Sequence, residues 1–218
     1  MNPLEICFIS AVDDIERYNK SLFTWQNLIV PEGGVVNSLI VQDASSMTEA
    51  YQMGMESSQA NYKIYIHQDV EIIQRNFLQV MVNMFRKNKK IGVAGVVGSK
   101  TIPPSAVWWN GELVGAICDD HTGSMEKYLY EHSGKEAIEA AAVDGLIMMT
   151  QYDIPWRKDL FNKWHFYDLS QCMEFKKRGY KVAVLPQALP GVIHYCGQNS
   201  MFGYDEERMK FIREYGVL

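Results

Sequence analysis

The sequence alternates short apolar, strand-like runs with amphipathic helical patterns, and this alternation limits the possible folds more than any other feature. In chain order, strand and helix patterns alternate at residues 5–11, 15–28, 38–42, 46–57, 63–67, 74–87 and 91–97. Units of about thirty residues that join a strand, a helix and a second strand favour parallel pairing and a sheet covered on both faces. We therefore predict an α/β protein with a mostly parallel, Rossmann-like sheet flanked by helices.

The second half of the chain is less regular. Between residues 99 and 142 the periodic pattern fades, and proline, glycine and polar residues indicate loops with a small irregular β region. Strand and helix patterns return at residues 143–150, 168–178, 182–185 and 205–215. A length of 218 residues suits a single domain, 1–218, whose two halves meet at residue 98.

Charge and composition exclude several functional classes. The formal net charge of −5 argues against a nucleic-acid partner, because such a surface needs an excess of positive charge. The four cysteines are scattered without the spacing of a zinc site. No apolar run approaches the roughly 20 residues that span a bilayer, and the N-terminus lacks a signal-peptide pattern. We expect a cytoplasmic protein without a transmembrane segment, which a partner can still hold at the inner face of a membrane.

Acidic residues follow three successive predicted strands. Asp13 follows the first strand, Asp43 the second, and His67 and Asp69 the third. In open α/β sheets ligands bind outside the carboxyl ends of the strands, so these side chains are expected at one edge. His67 and Asp69 are two residues apart and would point to the same side of an extended backbone. A net-acidic edge suits a divalent cation that carries phosphates; the alternative for Asp69 is a turn residue that starts the next helix.

Four segments resemble the family 2 glycosyltransferases of the GT-A type fold, and most closely their small bacterial glycosyltransferase-like branch. The segments are Y-I-H-Q-D-V at 65–70, V-D-G at 143–145, W-H-F-Y-D-L-S at 164–170 and the R-G-Y turn at 178–180. The resemblance extends from about residue 5 to residue 198. It implies a GT-A type fold with a nucleotide-binding half, 1–98, and an acceptor and catalytic half, 99–218.

The resemblance also implies a metal site. His67-Gln68-Asp69 occupies the place of the D-x-D motif of the family, whose last aspartate coordinates the metal on the donor diphosphate. Asp69 matches that aspartate, while His67 replaces the first one and is assigned to the site without a fixed role. His194 resembles the C-terminal histidine that completes the metal site in many GT-A enzymes, although a lone histidine is more often structural. The implied ion is Mn²⁺ or Mg²⁺, and a mixed imidazole and carboxylate set suits Mn²⁺.

Asp168 is the candidate catalytic residue. The resemblance places it on the second residue of the E-D motif of the family, which is the general base in inverting members, with Tyr167 in place of the glutamate. The segment Asp168-Leu-Ser-Gln171 also has the form of a helix capping box, and aspartate is a favoured N-cap. Both roles can coexist, since a carboxylate can cap a helix with one oxygen and face a site with the other.

The remaining candidates would contact the donor or the acceptor. The resemblance places Asp43 where the family contacts the nucleotide base, and Asp144-Gly145 near the donor or acceptor sugar. A glycine there would let the backbone approach a ligand closely. Trp109 offers a flat apolar face for a sugar ring, although core packing is the commoner role of tryptophan. Asp13 completes the set as an acid at the end of the first strand.

These features predict a metal-dependent inverting glycosyltransferase. The expected donor is a nucleotide sugar, with UDP as the nucleotide, and the expected acceptor is a hydroxyl of a glycan or lipid-linked molecule. A nucleotidyltransferase would need a glycine-rich, basic triphosphate loop near the N-terminus, which residues 13–17 do not supply. A non-catalytic module that binds sugar nucleotides or glycans stays open, because both motifs are incomplete.

Overall fold

The computed structural model describes residues 4–131, 134–197 and 200–216. The helices are α1 (Ile15–Gln26), α2 (Met47–Ser57), α3 (Phe77–Lys87), α4 (Tyr167–Lys177) and α5 (Tyr204–Tyr215). The strands are β1 (Glu5–Ala11), β2 (Val35–Val41), β3 (Tyr62–Ile66), β4 (Val70–Ile72), β5 (Ile91–Gly95), β6 (Val97–Ser99), β7 (Leu113–Asp119), β8 (Glu126–Leu129), β9 (Ile138–Ala140), β10 (Ala142–Val143), β11 (Ile147–Thr150), β12 (Lys181–Val184) and β13 (Val192–His194).

The main sheet contains strands from both halves of the chain. Among the described residues it has seven strands in the order β2-β1-β3-β11-β5-β12-β9. The β1–β2, β1–β3 and β5–β12 pairs are parallel, as expected from the alternating pattern. Strand β11 enters between β3 and β5 in the antiparallel direction, and β9 is antiparallel to β12. The α/β class predicted from the sequence is confirmed, but three of the six neighbouring pairs in the described sheet are antiparallel, so the sheet is mixed in direction where a mostly parallel one was expected.

A second, smaller sheet takes β7 and β8 from the stretch where the sequence pattern was weakest and its other strands from elsewhere in the chain. Its strands follow the order β10-β6-β7-β13-β4 in the described part of the chain, and β8 pairs with β7. The single strand predicted at 91–97 is divided between the two sheets, since β5 lies in the first and β6 in the second. The strand predicted at 143–150 is likewise divided into β10 and β11. The chain therefore passes from the main sheet into the small sheet after β5, and returns from β10 to the main sheet at β11.

Helices cover both faces of the main sheet. In β1, Ile6 and Phe8 belong to the core cluster that contains α1 and α3, whereas Cys7 and Ile9 belong to the cluster that contains α2, α4 and α5. The ring of Trp25 on α1 stacks on Phe8 with centroids 5.1 Å apart. A strand buried on both faces needs an apolar side chain at nearly every position, which explains its continuous apolar run. Within the described ranges, no helix combines the length and apolar character required to cross a membrane.

The start of α4 differs from the sequence prediction. The helix begins at Tyr167, preceded by Phe166 in a left-handed conformation with a φ of 58°. Asp168 therefore lies inside the first helical turn, so the interpretation of this residue as the N-cap of a capping box is wrong. The capping box predicted at Ser46 is confirmed for the serine: Ser46 is the N-cap of α2, and its side chain accepts a hydrogen bond from the Glu49 N–H.

Candidate active site

A cleft of about 1260 Å³ opens at the carboxyl ends of β1, β2 and β3, between the two sheets. Its lining includes the following residues predicted from the sequence: Asp13, Asp43, His67, Asp69, Trp109, Asp144, Asp168 and His194. Gly145 is the predicted residue outside this lining. Residues separated by up to about 180 positions in the chain therefore meet at the edge where the strand order predicted a ligand.

The segment after β3 is a turn. Strand β3 ends at Ile66, and the Val70 N–H donates to the His67 carbonyl at 3.3 Å. The backbone is therefore a turn and not the extended strand end expected from the sequence, but the side chains of His67 and Asp69 still come together, with ligand atoms within 4.8 Å. Gln68, the middle residue, has a different function: its side-chain oxygen accepts hydrogen bonds from the Asp13 and Asp14 N–H groups, at 3.0 Å each. Gln68 thus joins the loop after β1 to the loop after β3.

Strand pairing brings His194 to Asp69. In the register of β13 with β4, His194 lies opposite Val70, and the Tyr195 N–H donates to the Asp69 carbonyl at 3.0 Å. The ligand atoms offered by His67, Asp69 and His194 all lie within 4.8 Å of one another. Nε2 of His194 is 3.5 Å from Oδ1 of Asp69. This group combines two imidazoles with one carboxylate.

The side chain of Asp69 fits a bound cation. Its Oδ1 is buried and has no hydrogen-bond partner among the described residues, although Nε2 of His194 is in contact with it. Buried polar oxygens are almost always satisfied, so such an atom points to an ion or ligand. The other oxygen, Oδ2, lies 3.4 Å from the Arg17 guanidinium. Imidazole and carboxylate ligands suit a divalent transition-metal ion, so the residues present fit the cation that the sequence predicted.

Asp119 supports His194 from the opposite side and was not identified from the sequence. The register of β13 with β7 places His194 beside Asp119, and Nδ1 of His194 lies 3.0 Å from Oδ2 of Asp119. The other oxygen of Asp119 accepts a hydrogen bond from the His121 N–H at 2.8 Å. Cys196 is close enough to form a second possible ligand group with Asp119 and His194. An apolar run that ends in Asp-Asp-His at 119–121 was the one available sequence signal.

Charge pairing lowers the pKa of the carboxyls near His194. Burial alone would raise the pKa of Asp69, but the close contact with His194 and the neighbouring positive charges outweigh it, and the pKa falls below its ordinary value. The same balance lowers the pKa of Asp119. Burial opposes the charged form of His194, but Asp119 and Asp69 hold its pKa well above the usual range. Burial lowers the pKa of His67 to about 4, so its ring is neutral at pH 7.

Asp168 is in the opposite electrostatic situation. Its side chain is 8% exposed, and its oxygens accept hydrogen bonds from the Gly145 N–H at 3.2 Å and the Leu169 N–H at 2.8 Å. Burial and, second, the negative charge of Asp144 raise the pKa of Asp168 to about 7. A carboxyl that titrates near neutral pH is matched to accepting and releasing a proton.

Tyr167 connects the two sides of the cleft. Its hydroxyl forms a hydrogen bond with Nε2 of His67, at 2.5 Å, while its neighbour Asp168 is bonded to Gly145. A Cβ atom at Gly145 would lie 2.1 Å from the Tyr167 hydroxyl oxygen. The glycine at this position is therefore required by the tyrosine ring. Tyr167 was recognised in the sequence only as a replacement for a glutamate.

Aromatic side chains line the mouth of the cleft on the side of the second half. Trp109 is 44% exposed and packs against Tyr204, with ring centroids 5.6 Å apart. Trp164 and Phe202 are also exposed at this mouth. Asp43, which also lines the cleft, is exposed and has a left-handed conformation with a φ of 58°. Aspartate adopts this conformation more readily than most residues, and strained backbone of this kind clusters at functional sites.

Solved structures with the same architecture are glycosyltransferases of the GT-A type. GalNAc-T7 with UDP, GalNAc and Mn²⁺ superposes with a TM-score of 0.60 at 11% identity, over 88% of this chain and 44% of that one. Staphylococcus aureus TarS 1–349 with UDP gives 0.60 at 8% identity, over 94% and 63%. The mannosyltransferase PcManGT from Pyrobaculum calidifontis, with GDP-Man and Mn²⁺, gives 0.57 at 9% identity, over 98% and 65%. At identities this low the structural likeness shows the fold alone, and the chain spans 44% to 65% of the length of these three proteins.

The sequence itself identifies the family. The model of the glycosyltransferase-like family matches residues 7–215, and the chain belongs to that family. No curated protein sequence gives a significant match. The family and the GT-A fold expected from the sequence are both confirmed.

Proposed function

We propose that this protein is a metal-dependent inverting glycosyltransferase that transfers a sugar from a nucleotide-sugar donor to an acceptor hydroxyl. One observation carries the proposal: the cation-binding group around Asp69 and the buried carboxyl of Asp168, with a pKa of about 7, line the same cleft. Family membership and the fold support it. The nucleotide complexes of the similar structures, two with UDP and one with GDP-Man, support a nucleotide-sugar donor, for which we retain UDP.

The donor would bind along the carboxyl ends of the first three strands. Asp43, exposed just after β2, would contact the nucleotide base. Asp13 lines the same cleft, and Gln68 accepts a hydrogen bond from its backbone N–H. Asp69 and His194 would hold Mn²⁺ or Mg²⁺. The bound ion would neutralise the charge that develops on the leaving diphosphate, an effect of several kcal/mol.

Asp168 would act as the general base. The backbone N–H groups of Gly145 and Leu169 fix the orientation of its carboxylate. As the acceptor oxygen bonds to the anomeric carbon, its proton passes to Asp168, and the electron pair of the breaking bond leaves with the diphosphate oxygen. Positioned proton transfer of this kind contributes roughly 10²–10⁴-fold. Attack opposite the leaving group inverts the anomeric centre and requires no protein nucleophile.

The acceptor would enter past the aromatic mouth. Trp109 offers a half-exposed face to a sugar ring, and Asp144 lies deeper, beside Asp168. Gly145 serves indirectly, since it makes room for Tyr167 and its N–H holds Asp168. The proposed acceptor is a glycan or a lipid-linked molecule. Residues 1–98 would bind the donor, and residues 99–218 would bind the acceptor and carry the general base. We also expect a bacterial source and a cytoplasmic location, at the inner face of the membrane when the acceptor is lipid-linked.

A donor panel tests the function. UDP- and GDP-sugars are incubated with Mn²⁺ and the protein, and released nucleotide and product anomer are measured for the wild type, Asp168→Asn and the exposed control Asp205→Asn. Turnover with inversion that is lost in Asp168→Asn and kept in Asp205→Asn supports the proposal. Donor binding without turnover in all three proteins contradicts it, and indicates the non-catalytic sugar-nucleotide-binding module that the incomplete motifs also suggest.

A further inference from the structure

The two residues that depart from the motifs of the family contact each other. His67 stands where the D-x-D motif has its first aspartate, and Tyr167 stands where the E-D motif has its glutamate. They are 100 residues apart in the chain, and their side chains form a hydrogen bond at Nε2 of His67. The two departures therefore form one physical unit, at the boundary between the metal group and the helix that carries Asp168.

His67 belongs to the cation-binding group by position. Its ligand atom lies within 4.8 Å of those of Asp69 and His194, and the rings of His67 and His194 have centroids 5.5 Å apart. An aspartate at this position would offer the ion a carboxylate oxygen, a ligand that suits Mg²⁺ as well as Mn²⁺. An imidazole favours a transition-metal ion instead.

In both histidines of the group, one ring nitrogen has a hydrogen-bond partner, which leaves the other nitrogen for an ion. Metal-binding histidines almost always use one ring nitrogen for the ion and the other for a hydrogen bond that fixes the tautomer and the ring orientation. Asp119 provides that hydrogen bond to His194 at 3.0 Å, on Nδ1, while Nε2 faces Asp69. The Tyr167 hydroxyl provides it to His67.

The surroundings hold Tyr167 in place for this contact. Its ring is buried and packs edge-on against Tyr51, with centroids 5.8 Å apart, and lies 6.5 Å from the ring of Trp156. On its other side, Gly145 leaves no Cβ in the way of the hydroxyl. A phenol enclosed by aromatic rings and backbone has little freedom to turn elsewhere, so its hydrogen bond to His67 is built into the fold.

We propose that His67 is a third metal ligand, so that two imidazoles and one carboxylate select a transition-metal ion over Mg²⁺, and that Tyr167 is the positioning residue for His67. The catalytic role of the ion rests on the proposed function, but the binding of the ion by these residues does not. It narrows the cofactor from either Mn²⁺ or Mg²⁺ to Mn²⁺ or a similar transition ion.

Mn²⁺ binding tests the ligand. The hexaaqua Mn²⁺ signal in electron paramagnetic resonance gives the dissociation constant, and pulsed spectra of the bound ion give the nitrogen couplings of coordinated imidazoles. We expect two imidazole nitrogens in the wild type, and one in His67→Gln with Mn²⁺ affinity weakened by about tenfold or more. The matched control His165→Gln changes a cleft histidine outside the group and should keep both couplings. Unchanged couplings and affinity in His67→Gln would overturn the proposal.

Two further variants separate ligation from folding. Tyr167→Phe removes only the hydroxyl and should weaken Mn²⁺ binding by about 10- to 100-fold without removing a nitrogen coupling. His67→Asp should lower the ratio of Mn²⁺ to Mg²⁺ affinity, measured by competition; a ratio equal to that of the wild type contradicts the selectivity. Because the readout is binding, a wild type that shows two imidazole couplings but transfers no sugar refutes the proposed function and leaves this inference standing. A wild type that transfers sugar while its bound Mn²⁺ has a single imidazole coupling refutes His67 as a ligand and leaves the proposed function standing.

Discussion

Two pairs of aspartates line one cleft, and their surroundings shift the pKa values in opposite directions. Asp69 and Asp119 both contact His194, and their pKa values are lowered despite burial. Asp144 and Asp168 have no cationic side chain in hydrogen-bond contact among the described residues, and burial raises the pKa of both. The same residue type is thus kept anionic on one side, where a cation would bind, and left able to hold a proton on the other. Pairs of titratable groups pushed apart in this way mark separate roles in acid–base chemistry.

Strand pairing produces the difference. The small sheet places β13 between β4 and β7, so His194 lies between Asp69 and Asp119. Asp168 instead projects from the first turn of α4 toward the backbone turn that follows β10. One side of the cleft is therefore built by side-chain ion pairs, and the other by backbone N–H groups.

The largest expected effect separates the two sides by function. Asp168→Asn should lower transfer by roughly 10²–10⁴-fold, because the acceptor hydroxyl loses its proton acceptor. Mn²⁺ affinity should stay at the wild-type value, since the carboxylate of Asp168 bonds to the Gly145 and Leu169 N–H groups and is not part of the cation-binding group. Transfer rates and Mn²⁺ titration on the same preparation check both statements, and a variant that loses Mn²⁺ would show that the two sides are one site.

The connection between the sides should be sensitive to a single methyl group. In Gly145→Ala the new Cβ would lie 2.1 Å from the Tyr167 hydroxyl oxygen, and the ring, enclosed by Tyr51, has little room to move. Overpacking of this kind costs about 1–3 kcal/mol of folding free energy, measurable by urea denaturation. The control is the same change in a Tyr167→Ala background, where the cost should shrink; equal costs in both backgrounds would place the strain elsewhere.

The metal side should depend on Asp119. Asp119→Asn weakens the hydrogen bond that orients His194, and loss of such a partner typically lowers metal affinity by about 10- to 100-fold. Asp205→Asn, at an aspartate outside the cleft lining, is the matched control. Calorimetric titration with Mn²⁺ gives the affinity of each variant. Equal affinities would show that Asp119 does not support the metal site.

The smallest expected effect concerns pH. A general base must be ionised, so transfer should rise with pH through the pKa of Asp168, about 7. The charge of Asp144 is the second cause that raises this pKa, and Asp144→Asn should move the rising limb to lower pH. The shift should be on the order of one pH unit or less, because burial, the larger cause, remains. A pH–rate profile of kcat/KM measures it, and a limb that moves to higher pH contradicts the assignment.

The sequence predicted the parts of the site that depend on local pattern. The acids after β1, β2 and β3 were found because alternating strands and helices bring their carboxyl ends to one edge. The family resemblance added Asp168 and His194, both of which line the cleft. The functional roles assigned to these residues stay predictions.

Features that depend on distant pairing were beyond the sequence. Asp119 lies in the stretch where periodicity fades, and its importance comes from the register of β7 with β13, 75 residues from His194. The antiparallel entry of β11 and the division of residues 91–97 between two sheets are likewise long-range outcomes. The turn at His67–Val70 and the left-handed Phe166 are local, but they are fixed by tertiary contacts that propensity does not encode.

The most direct test that the cation and the proton are held on opposite sides of the cleft is an anomalous difference map from a crystal soaked with Mn²⁺ and UDP. We predict a single manganese peak within bonding distance of Asp69 and His194, with the diphosphate beside it and no metal at Asp168. A peak between Asp144 and Asp168 would contradict the assignment of cation and proton to opposite sides of the cleft.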